Sequence, residues 1–186
     1  MNARMPVVFV GHGSPMNAIE ENGFVSAWRA LGQSLPHPHA ILCISAHWET
    51  QGGAAVSIAP APETVYDFYG FPRELYRLRY PAAGAPWLAE RVIALLGSDA
   101  VLPDPSRGLD HGAWVPLRHM YPLADVPVVQ LSLDRRLSPA AHYALGQRLQ
   151  PLREEGVLLL GSGNIVHHLG VARPEASPYD WAEAFD

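Results

Sequence analysis

The sequence predicts a three-layer α/β/α fold: one domain over residues 1–186 with a mostly parallel, mixed central sheet. Three observations predict it. Short apolar, β-branched runs recur along the chain, amphipathic stretches of about a dozen residues separate them, and three of the runs end in turns rich in glycine, serine and histidine. In sheets of this kind ligands gather where strands end, at the carboxyl edge.

The first strand is Val7-Val8-Phe9-Val10, which stops at Gly11-His12-Gly13-Ser14-Pro15. Glycine beside a histidine lets the backbone turn sharply and come close to a ligand. A helix follows from Phe24 to Leu35, with Phe24, Trp28, Leu31 and Leu35 at helical spacing and Pro36 closing it. The second strand, Ala40 to Ala46, ends at His47-Trp48, and Ala54 to Ala59 reads as a further short strand. Pro60 to Pro81 is rich in proline and aromatic residues (Tyr66, Phe68, Tyr69, Phe71, Tyr76, Tyr80), so it reads as a pocket wall or a loop capping the core.

Beyond it, Ala85 to Leu96 is an amphipathic helix and Ala100 to Leu102 a short strand. The polar loop Arg107-Gly108-Leu109-Asp110-His111-Gly112 leads into a helix over Ala113 to Met120. Pro127 to Leu131 is a buried strand and Pro139 to Glu155 one helix. The last strand, Val157 to Leu160, runs into Gly161-Ser162-Gly163-Asn164-Ile165-Val166-His167-His168, and Trp181 to Phe185 opens another helix.

Composition narrows the function classes. The 186 residues are 48% hydrophobic and 17% charged, the balance of a folded globular protein. A net charge of −5, with all thirteen cations arginine, gives no electrostatic reason to expect nucleic acid or a membrane as partner. One cysteine, Cys43, excludes an intramolecular disulfide and any Cys-x-x-Cys zinc site, which fits a cytoplasmic protein. The start of the chain passes straight into the first strand and leaves no room for a signal peptide.

His12 and His47, each at the end of a strand, are the candidate metal ligands, since imidazole is the commonest metal-ligating side chain. His111 and His167 are candidates for a third ligand or for general acid/base work beside the metal, with Asp110 and Asn164 expected to orient the imidazoles. His37 and His39 read as exposed loop residues, and His119 and His142 as surface or packing residues. Gly11-His12-Gly13 lacks the third glycine of a dinucleotide fingerprint, and Gly161-Ser162-Gly163 is too short for a nucleophile elbow.

At these residues a resemblance appears. Gly11-His12-Gly13-Ser14-Pro15-Met16, Ser45-Ala46-His47-Trp48, Leu109-Asp110-His111-Gly112-Ala113-Trp114 and Gly163-Asn164-Ile165-Val166-His167 resemble, in order, the motifs of the class III extradiol ring-cleavage dioxygenases. Asp67-Phe68-Tyr69-Gly70-Phe71-Pro72 and Pro127-Val128-Val129-Gln130-Leu131-Ser132 are similar to its 4,5-DOPA dioxygenase branch. The resemblance implies a non-haem Fe(II) centre, with Zn(II) able to occupy the same site, held by His12 and His47. It implies acid/base roles for His111 and His167, a catechol-type substrate with O2, and a further ligand in a segment beyond residue 186, so that this chain is truncated relative to the family. A homo-oligomer is compatible with it. A zinc-dependent hydrolase using Asp110 as a carboxylate ligand, or a non-catalytic metal-binding remnant, are the alternatives.

Overall fold

The computed structural model describes residues 4–168, 170 and 177–185. Its centre is a four-stranded, fully parallel sheet of order β1-β8-β2-β6, made of β1 (Val7–Gly11), β8 (Val157–Gly163), β2 (Ala40–Ser45) and β6 (Val128–Gln130). The ladders set Gly11 opposite Gly163 and Ser45 opposite Ser162, so three strands end at one level. Beyond β6 the short parallel pair β4 (Ala54–Ser57) and β5 (Val101–Asp104) joins through an antiparallel bridge from Val56 to Leu131, which makes the sheet mixed. A second small pair joins β3 (Glu49–Thr50) to β7 (Leu133–Asp134).

Both faces of the inner strands are buried, which is why they read as continuous apolar runs. Side chains alternate sides along a strand. Ile41, Cys43, Leu158 and Leu160 therefore enter one core, and Ala40, Leu42, Val157 and Leu159 the other. The first core is closed by α1 (Gly23–Ser34) and α3 (His111–Met120), the second by α2 (Pro86–Leu96) together with Leu149 and Leu152. The helices begin where side chains cap them: Asn22 accepts the Val25 N–H, Asp110 the Ala113 N–H and Ser138 the Ala141 N–H.

Two expectations about helices are corrected. The stretch Pro139 to Glu155 is two helices, α4 (Pro139–Arg148) and the single turn α5 (Pro151–Glu154), because Pro151 brings no N–H and crowds the preceding turn. The buried face of α1 is set by Val25 and Trp28, while Phe24, expected inside, is 69% exposed. The last described helix is α6 (Asp180–Phe185).

Gly32 lies where α1 crosses α3, and a Cβ there would overlap the Met120 backbone. Backbone cannot yield as a flexible side chain can. Gly32→Ala is therefore expected to lower unfolding free energy by about 1–3 kcal/mol, read from the midpoint of a urea titration.

Candidate metal centre

Each strand end delivers its residue as the sequence predicts, and a helix start brings one more. His12 follows β1 and is 2% exposed; His47 follows β2 and is half-buried; His111 is the first residue of α3 and is buried. Ligand atoms of these three imidazoles lie within 4.8 Å of one another. Ring centroids are 4.8 Å apart for His12 and His47, 4.0 Å for His47 and His111, and 5.2 Å for His12 and His111. His167 is not in this cluster. It is exposed and lines the neighbouring cavity.

The glycines beside the histidines have distinct reasons. Gly13 has φ +59°, in the left-handed region, and turns the chain back so that Asn17 Nδ2 can donate to the His12 carbonyl at 3.1 Å. Gly112 permits close approach instead: a Cβ there would overlap Ser45 Oγ and stand 3.1 Å from His12 Nδ1.

The partners that hold the rings are not the expected ones. Asp110 is fully buried, but its carboxylate accepts from Ser45 Oγ at 2.6 Å, Gln130 Nε2 at 2.8 Å and Arg107 at 2.5 Å, and it caps α3. Its acceptor positions are taken, and it touches no imidazole through a hydrogen bond. Asn164 accepts the Gly13 N–H at 3.3 Å and likewise misses the rings. Asp67 does the work assigned to them. It accepts from His111 Nδ1 at 2.9 Å and from the His111 N–H at 3.0 Å, and its other oxygen is 3.3 Å from His47 Nδ1. Ser162 Oγ takes the equivalent place at His12 Nδ1, 3.1 Å away.

A carboxylate only accepts, so Asp67 calls for a proton on the Nδ1 of His111 and favours one on that of His47. The Nε2 of His111 then keeps a bare lone pair. The Nε2 atoms of His12 and His47 stand 3.0 Å apart, a hydrogen bond in which one of them carries the proton and the other offers its lone pair. Two imidazole nitrogens each roughly 2.1 Å from a shared ion stand about that far apart. Burial, then the neighbouring His111 and His47, lowers the His12 pKa to about 4, and burial followed by His111 lowers that of His47. The Asp67 carboxyl is raised by burial, but hydrogen bonds from His111 and the charges of the imidazoles outweigh this and hold it below its usual value. At neutral pH the site is thus two neutral imidazoles backed by an ionised carboxylate, a donor set that suits Fe(II) or Zn(II).

Above the cluster opens a cavity of about 650 Å³, walled by Pro15, Phe68, Phe71, Val166, Tyr179 and Trp181. Its described lining holds no carboxylate and no guanidinium. Phe68 is the pivot of the wall. Its ring meets Phe71 edge-on at 5.4 Å and His111 at 5.7 Å. The aromatic stretch from Tyr66 to Tyr80 divides accordingly: Phe68 and Phe71 face the cavity, Tyr80 is buried in the core and Tyr69 is 91% exposed.

Comparison with known proteins agrees with this geometry. Residues 6–186 match the family model described as the catalytic LigB subunit of aromatic ring-opening dioxygenase. A protein of Escherichia coli K12 named 4,5-DOPA dioxygenase extradiol is 46% identical over all of this chain and 69% of its own length. A Beta vulgaris protein of the same name is 47% identical over 96% of this chain and 69% of its own. The crystal structure of an uncharacterized protein from Escherichia coli K12 superposes with a TM-score of 0.82 at 43% identity, covering 98% of this chain and 70% of that one. No described helix is long and apolar enough to cross a membrane. Strand-end histidines, aromatic wall and sequence matches converge: the chain belongs to the LigB family, the catalytic subunits of aromatic ring-opening dioxygenases.

Proposed function

We propose that this chain carries the site of a non-haem Fe(II) extradiol dioxygenase that opens a catechol-type, DOPA-like ring with O2, with His12 and His47 holding the metal. The observation that carries the reading is the pair of Nε2 atoms 3.0 Å apart at the floor of an aromatic-walled cavity whose described lining holds no carboxylate and no guanidinium. A ferrous ion bound there supplies Lewis acidity toward the catechol hydroxyls and an electron path to O2.

The residues of the chain do the rest. Phe68 and Phe71 flank a planar ring and exclude water from one side of it. His111 Nε2 is the proton carrier nearest the ligands. With its Nδ1–H on Asp67, the ring can take a proton at Nε2, and the carboxylate behind it steadies the resulting cation. His167, on the cavity wall, is the second acid/base group and exchanges protons with the ring hydroxyl from the exposed side. The alternative of a zinc hydrolase with Asp110 as ligand loses its carboxylate, which is spent on Arg107, Gln130 and Ser45.

The test is anaerobic loading of the purified chain with Fe(II), followed by a catechol and then air. Ring-fission absorbance with matching oxygen uptake is the expected result. Oxygen consumption that stays at the protein-free rate with every catechol tried, or ester hydrolysis that needs only Zn(II), overturns the reading.

A further inference from the structure

Ser162 lies beneath His12, and α3 determines what its hydroxyl can do. Pro116 sits inside α3, five residues after His111. A proline has no N–H, so the carbonyl four residues earlier, that of Gly112, loses its helical donor. Ser162 Oγ fills the gap by donating to the Gly112 carbonyl. A hydroxyl has one proton. Once that proton is committed to a carbonyl, which only accepts, Ser162 can meet His12 Nδ1 only as an acceptor, at 3.1 Å.

We propose that Ser162 is a positioning residue that fixes His12 in the Nδ1–H tautomer, through a carbonyl that Pro116 leaves free, so that the bare Nε2 faces His47. The inference rests on the reading of His12 as a ligand, but it concerns the protein before any metal binds. Ser162 is 2% exposed and His12 equally so, which keeps water from replacing either bond. Asp67 serves the other two imidazoles, so the Ser162 effect is confined to His12. A residue that merely packs would not select between tautomers.

The experiment is a 15N–1H correlation spectrum of the histidine rings in metal-free protein, for wild type, Ser162→Ala and Ser162→Thr. Zn(II) affinity is measured on the same samples against a chelating dye. In wild type His12 is expected to show Nδ1 protonated and Nε2 bare. In Ser162→Ala, His12 gains the Nε2–H form, His47 and His111 keep theirs, and Zn(II) affinity falls about 10–100-fold, the usual cost of losing such a support. Ser162→Thr, which keeps the hydroxyl, restores the wild-type spectrum. A wild-type His12 that carries its proton on Nε2, or a Ser162→Ala spectrum unchanged at His12, overturns the proposal. Wild type with the expected tautomer but no ring cleavage after Fe(II) loading overturns the functional reading and leaves this one standing.

Discussion

His47→Ala is expected to lower the affinity for divalent metal by more than the ~10–100-fold that removal of a mere supporting group costs, and to abolish ring cleavage. The variant removes one of the two nitrogens that face each other at 3.0 Å. His12 then stands alone beside His111, whose ring lies 5.2 Å away and whose Nδ1 is tied to Asp67. His47 is the cleaner choice than His12 because it is half-buried in a turn, whereas His12 is 2% exposed and bonded to Ser162. Unfolding free energy should therefore move by less than about 1 kcal/mol. Dye-competition titration with Zn(II), oxygen uptake after Fe(II) loading and a urea midpoint on the same preparation separate loss of the site from loss of the fold. An unchanged metal affinity would remove His47 from the ligand set.

The second large effect is on stability. Trp114 is fully buried at the fourth position of α3, and its indole Nε1–H donates to the Val65 carbonyl at 3.0 Å. Its ring meets Tyr66 at 6.4 Å and Phe68 at 6.5 Å, so it joins the helix that carries His111 to the wall of the cavity. Trp114→Ala leaves a large void and is expected to cost about 3–5 kcal/mol, out of the roughly 5–15 kcal/mol that holds a typical domain together. Trp114→Phe keeps most of the apolar area and loses mainly the hydrogen bond, a cost of about 1–2 kcal/mol. Urea titrations of the two variants check the order. A Phe variant as damaged as the Ala variant would place the stabilisation in the bond to Val65 and not in the packing.

How much of this was legible depended on whether local sequence decides the feature. His12 and His47 were, because an apolar run ending at a histidine marks a strand tip whatever surrounds it. The parallel sheet was legible from strands alternating with amphipathic helices. Nothing local marks Asp67 as a ring partner, although it stands in a motif of the family resemblance. It lies in an irregular stretch with no periodicity to mark its direction, and its partners are 20 and 44 residues away. Asp110 stands next to His111 in the sequence, yet that adjacency points its carboxylate the other way, into Arg107 and Gln130. Ser162 stands in no nucleophile motif, and the positioning role proposed for it needs Pro116, on a separate element. On the first helix Trp28, Leu31 and Leu35 pack on the core as their spacing suggests, and only Phe24 is displaced, Val25 taking the buried place beside it.

The order of the strands has one more consequence. β1 and β2 are not neighbours, since β8 runs between them. Their tips are thus two ladder spacings apart, about 9–10 Å. Two side chains must reach inward across the middle strand to come within 3.0 Å of each other. The middle strand ends in Gly161-Ser162-Gly163, the smallest caps available for the ground they must lean over. The gauge of the sheet sets the span, and of the three residues at the tip of β8 it is Ser162 that lies under the pair, 3.1 Å from His12 Nδ1, while a Cβ at Gly161 or Gly163 would meet Phe9 or Ala46 instead. A bulky residue at position 162 would therefore push the pair apart without altering either histidine.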